Sequence, residues 1–61
     1  MLSKQYLERE YKQAIREFKG AISEEEKWQA RKAMASLERC AGEMYGYEYT
    51  DELHALIDQL R

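Results

Sequence analysis

The chain has 61 residues with 12 acidic and 10 basic side chains, a formal net charge of −2. That is room for one small domain, and it lacks the global cationic excess usual in nucleic-acid-binding domains. With no proline, one cysteine and one histidine, a proline-rich linker, an intrachain disulfide and a multi-histidine metal centre are excluded. No secretory signal and no apolar run of about eighteen residues is present. The cytosol is therefore the expected location, and Met1-Leu2-Ser3 reads as the natural start of a complete small protein.

The first predicted element runs from about residue 4 to about residue 19. Leu7, Tyr11, Ala14, Ile15, Phe18 and Ile22 recur at helical spacing and fall on one face, with Ser3 as the N-cap. Gly20 supplies the stop, because glycine tolerates the left-handed conformation that ends many helices.

The second helix is expected over about 24–45. Ser23 caps it, Glu26 can reach back in a capping box, and Glu24, Glu25 and Glu26 complement the dipole in its first turn. Its apolar stripe is Ala30, Ala33, Met34, Leu37, Cys40, Ala41 and Met44, and the small residues let neighbouring backbones approach closely. Gly42 weakens the last turn, and the helix should end at Gly46.

After a connection Gly46-Tyr47-Glu48-Tyr49, Thr50 is the expected N-cap of a short helix over about 51–60. Asp51 and Glu52 fall in its first turn, and Leu53, Leu56, Ile57 and Leu60 form its stripe. Short links favour antiparallel neighbours, so the expected fold is all-α: a single helical domain over 1–61, forming an up-down-up three-helix bundle. At 1.5 Å per residue the third helix is about 16 Å long and the second close to 30 Å. The third should cover the Met34 to Met44 half of the second and leave the Ala21 to Ala30 end of the hairpin thinly covered.

Trp28 lies about opposite Leu37 on the helical wheel, off the core stripe. Lys32, Ala35 and Arg39 share its side, and an aromatic among small and cationic neighbours resembles a binding hot spot. The competing expectation is that the loop, the N-terminus or the Lys32 methylenes cover the indole. Ile22, Trp28, Lys32 and Ala35 are the candidate partner-binding residues.

Arg9, Lys12, Arg16 and Lys19 align along one flank of the first helix. Such a stripe can meet phosphate backbones, an acidic partner or an anionic membrane surface, but solvation or pairing with Glu48, Asp51, Glu52 and Asp58 is the more ordinary outcome. Tyr6, Tyr11, Tyr45, Tyr47 and Tyr49 suit both half-buried and interface positions. Base stacking on the last three is disfavoured by the acidic residues around them.

His54 and Asp58, four apart, make at most half of a metal site, and Cys40 sits in an apolar stripe as a small hydrophobe. No catalytic, cofactor-binding or metal-ligating set is expected. The first expectation is a non-enzymatic protein–protein interaction or self-association module. The alternative is a small nucleic-acid-associated regulator using the basic flank, with nucleic acid not held at physiological salt. No membrane partner is expected, and an enzyme comes third.

Overall fold

The computed structural model describes residues 3–59 and consists of α1 (Lys4–Gly20), α2 (Glu24–Tyr45) and α3 (Tyr47–Gln59). The sequence expectations that fall on Met1, Leu2, Leu60 and Arg61, including the last residue of the third helix, lie outside the described residues. The helices pack as an up-down-up bundle. α1 and α2 are antiparallel, so Lys4 approaches the Tyr45 ring at one end and Arg31 lies over the Phe18 ring near the other. α3 turns back along α2, which it contacts more extensively than it contacts α1.

Two helix starts follow from local chemistry. The Ser3 hydroxyl oxygen accepts from the Tyr6 N–H at 3.1 Å, and that of Ser23 accepts from the Glu26 N–H at 3.2 Å. Each satisfies a donor that the first helical turn leaves without a partner. The Glu26 carboxylate accepts from the Ile22 N–H at 2.9 Å, one residue before the donor of a standard capping box.

The end of α1 differs from expectation. Gly20 is its last helical residue and is not left-handed; Ala21 takes an extended conformation, and its N–H reaches back to the Phe18 carbonyl at 3.3 Å. An extended exit needs no positive φ, so the glycine is not the cap. Ile22, expected on the apolar face of α1, instead lies in the link and is 93% exposed.

The start of α3 is a second correction. Thr50 is not its N-cap: the helix begins at Tyr47, and Gly46 alone joins it to α2. Gly46 has φ 92° and ψ 167°, a region open essentially only to glycine. Its N–H donates to the Gly42 carbonyl at 3.0 Å and its carbonyl accepts from the Thr50 N–H at 3.4 Å, so one residue ends α2 and opens α3. The Thr50 hydroxyl donates instead to the Glu38 carbonyl on α2, at 3.4 Å. Gly42 makes that proximity possible, since a β-carbon there would lie 3.2 Å from Thr50 Oγ1. The 13 residues of α3 span about 20 Å against about 33 Å for the 22 of α2.

The core sits where all three helices meet. Leu7, Tyr11 and Ile15 of α1, Ala41 of α2, and Tyr49 and Leu53 of α3 are buried together, with Met34, Leu37, Cys40, Tyr45, Leu56 and Ile57 packed against them. Leu37, centred on the expected stripe, is only half-buried, and Met44 is 38% exposed. Towards the hairpin end the core narrows to Ala14 and Ala30, small residues that suit a close approach of two helices. No helix among the described residues is long and apolar enough to cross a membrane.

Replacing Ser23 by alanine is expected to lower stability by about 0.5–2 kcal/mol, and Gly46→Ala by about 1–3 kcal/mol through backbone strain. Reversible urea unfolding measures both; an unchanged midpoint for Ser23→Ala would refute the cap.

Candidate functional site

The groove between α1 and α2 holds α3 over half its length and is open over the rest. The register is visible in the pairs Thr50 with Glu38 and His54 with Glu38. Ile57 then borders the same hollow as Ile15, Phe18 and Met34, a mostly apolar space of about 290 Å³ also edged by Lys19 and Arg31. Towards the hairpin end Phe18 and Arg31 border a second hollow of about 220 Å³ with Glu24, Lys27 and Trp28, residues of α1 and α2 alone.

Trp28 is 60% exposed. The link leaves the indole open, and Ser3 lies at the opposite end of the bundle, where the following Lys4 meets Tyr45 and Tyr49. The Arg31 guanidinium sits 5.3 Å from the Phe18 ring centroid, a cation–π contact worth about 0.5–1 kcal/mol at an exposed site. Lys27 pairs with Glu24 at 3.6 Å.

Of the residues singled out from sequence, Ile22 and Trp28 are both exposed near the hairpin turn. Lys32 and Ala35 are exposed further along α2, but neither borders the hollow beside Trp28. The other aromatic bordering that hollow is Phe18, assigned from its spacing to the core. The length mismatch carried the signal that could have found it, because residues of the core stripe beyond the reach of α3 have only one helix to cover them. A concavity of about 590 Å³ lies on the other flank of α2. It is edged by Glu17, Glu25 and Glu26 and by the turn, with no aromatic anchor.

The basic flank divides. Arg9, Lys12 and Arg16 edge one shallow concavity with Gln5 and Glu8, whereas Lys19 borders the apolar hollow. Among the described residues no carboxylate forms an ion pair with Arg9, Lys12 or Arg16, so pairing with the acidic residues of α3 does not account for these three. Arg9 lies over the Tyr6 ring at 5.8 Å.

The tyrosines serve different ends. Tyr45 and Tyr49 meet edge to face at 5.3 Å, with the Lys4 ammonium 5.2 and 5.0 Å from their centroids. The buried Tyr49 donates its hydroxyl to the Lys4 carbonyl at 3.0 Å, with Glu8 at 3.4 Å. Burial, then the charge of Glu8, pushes its phenol up to about 12. Tyr11 is wholly buried and its hydroxyl has no hydrogen-bond partner. Burial, and secondarily the nearby charge of Glu38, holds it well above the usual phenol range, although the two groups do not reach hydrogen-bond geometry. Tyr47 stands 85% exposed.

His54 does not join Asp58 in a site; its Nδ1 lies 2.9 Å from the Glu38 carboxylate on α2. Among the described residues no group of three His, Cys, Asp or Glu side chains is placed to hold a metal ion. Cys40 is half-buried against the core. Comparison of the chain with protein-family models, with curated proteins and with solved structures finds no match.

The two buried phenols set an alkaline limit. In the unfolded chain tyrosine loses its proton near pH 10, whereas both are held above that value in the fold. The unfolded state therefore binds fewer protons above about pH 10, and stability falls as pH rises from there towards 12, by roughly 1 kcal/mol per unit for each tyrosine. Urea unfolding between about pH 8 and 12 is expected to show this decline. Tyr11→Phe should lessen it while leaving neutral stability unchanged or higher, since it removes an unpartnered buried hydroxyl.

Proposed function

We propose that this chain is a non-enzymatic docking module that takes a protein partner, or a second copy of itself, into the uncovered end of its helical hairpin. The observation that carries this is the exposed Trp28 beside Phe18, at the part of the α1–α2 groove that α3 does not reach. Tryptophan is prominent among binding hot spots, and a groove that already seats one amphipathic helix has the shape for another apolar segment. The cytosol is the proposed location, where a reducing environment keeps the single Cys40 a thiol. No cofactor is required.

A second function is favoured by one observation, the absence of carboxylate partners for Arg9, Lys12 and Arg16 among the described residues. Three cations on a chain of net charge −2 support weak, sequence-independent binding to nucleic acid at low salt. That binding is expected to vanish near physiological ionic strength, where charges separated by more than about 8 Å are largely screened.

Affinity capture with wild type and Trp28→Ala, alongside titration of nucleic acid at two salt concentrations, separates the two. Trp28→Ala is expected to abolish capture of specific partners while leaving helicity unchanged, because the indole is not in the core. Tight nucleic-acid binding at physiological salt, lost on Arg9→Glu with Arg16→Glu, would reverse the order of the two functions.

A further inference from the structure

The exposed large apolar side chains among the described residues gather at the two ends of the bundle. Ile22 and Trp28 lie at the hairpin end, and Tyr6, Met44 and Tyr47 at the other. About 27 Å of helical rise separates Trp28 from the Gly46 link, in a bundle whose Cα trace extends 33 Å along its longest axis.

The charges near these aromatics differ in sign. The hollow beside Trp28 is edged by Arg31, whose guanidinium lies over the Phe18 ring and forms no ion pair with a carboxylate among the described residues, and by Lys27, which is paired to Glu24. Glu25 and Glu26 edge the other flank of α2. Around Tyr47 the α2–α3 junction carries Glu43, Glu48 and Asp51 in exposed positions, and its nearby cation Arg39 is paired to Glu43 at 3.6 Å. At the same end Lys4 and Arg9 are engaged over tyrosine rings. One end thus presents an aromatic beside the Arg31 guanidinium, the other an aromatic near the exposed carboxylates of Glu48 and Asp51.

The geometry points to head-to-tail self-association, in which the Tyr47 end of one copy seats in the Trp28 groove of the next. The occupant of the groove is a second copy of this chain, and the pairing deepens the docking function proposed above and rests on it. The contact joins two different surfaces, so each copy keeps one free end of each kind and association continues past two copies unless a ring closes. It is also weak. An end-to-end contact takes in only a small share of the chain's 4730 Å² of accessible surface, at the low end of interface sizes beside the ~800 Å² per partner that stable complexes bury. Opposite charges supply much of the orientation, and salt weakens them.

The test uses two variants altered at exposed positions: Trp28→Ala with Arg31→Ala, which disables the groove, and Tyr47→Ala with Asp51→Asn, which disables the junction end. Circular dichroism and thermal unfolding verify that both fold, and sedimentation follows mass from about 10 µM to about 1 mM, the range suited to a contact this small. Wild type is expected to exceed the dimer mass at the highest concentrations, severalfold less so in about 1 M sodium chloride, where the Debye length is near 3 Å. Each variant alone is expected to stay monomeric, and an equimolar mixture to give a 1:1 pair that grows no further, because only one competent groove and one competent junction remain.

A Tyr47→Ala, Asp51→Asn variant that self-associates like wild type would overturn the head-to-tail contact and leave the docking function standing, with Trp28 facing its own counterpart. Wild type that is monomeric throughout would overturn it as well. Capture that depends on Trp28 would in that case assign the groove to another protein, and its absence would remove the docking function too.

Discussion

Tyr49 stands where the three helices converge, and its placement decides what the rest of the bundle can do. Its ring is buried with Leu7, Tyr11 and Leu53, Tyr45 meets it edge to face, and its hydroxyl donates to the Lys4 carbonyl in the first turn of α1. A chain this small has few large apolar side chains, and here they are concentrated at one end of a helical hairpin. Burying each contributes about 1.5–3 kcal/mol, so the order of the fold is greatest there. The opposite end is held by Ala14 and Ala30 and by the Ser23 cap. Uneven distribution of the core is thus what leaves a length of groove open beside Trp28.

Glu38 has a related role on the outer side of that core. Its carbonyl receives the Thr50 hydroxyl and its carboxylate faces His54, while its charge bears on the buried phenol of Tyr11. One residue of α2 therefore meets polar groups from both neighbouring helices. The His54 side chain is 67% exposed, so this pair adds little to stability. Its contribution is to register, because the hydroxyl and the imidazole one turn apart on α3 both select the same position on α2.

Features written in adjacent residues were legible in the sequence. The Ser3 and Ser23 caps, the end of α2 at Gly46 and the off-stripe direction of Trp28 depend on spacings of a few residues, and the unequal helix lengths followed from them. The start of α3 was misread because Thr50-Asp51-Glu52 has the composition of a helix N-terminus, while the actual boundary depends on the backbone of Gly46 and on the space that Gly42 leaves for Thr50. Gly20 was misread for the converse reason, since a glycine after an apolar run suggests a left-handed cap where the chain in fact leaves extended. The Glu38 cluster joins residues 12 and 16 positions apart, and no local pattern encodes it. Phe18 was assigned correctly to a face but not to its surroundings, which depend on where α3 stops.

The links that shape the bundle also bear on how quickly it can form. Three residues, Ala21 to Ser23, join α1 to α2, and Gly46 alone joins α2 to α3, so most native pairings connect neighbours in sequence. Such low contact order accompanies folding in microseconds to milliseconds. The hydrogen bond of Tyr49 to Lys4 spans 45 positions, but the intervening helical hairpin shortens the effective search once it has formed. Docking of the first turn of α3 against the first turn of α1 then has only the Gly46 link left to order. The time for which Leu53, Leu56 and Ile57 stand exposed to other chains is set by that step.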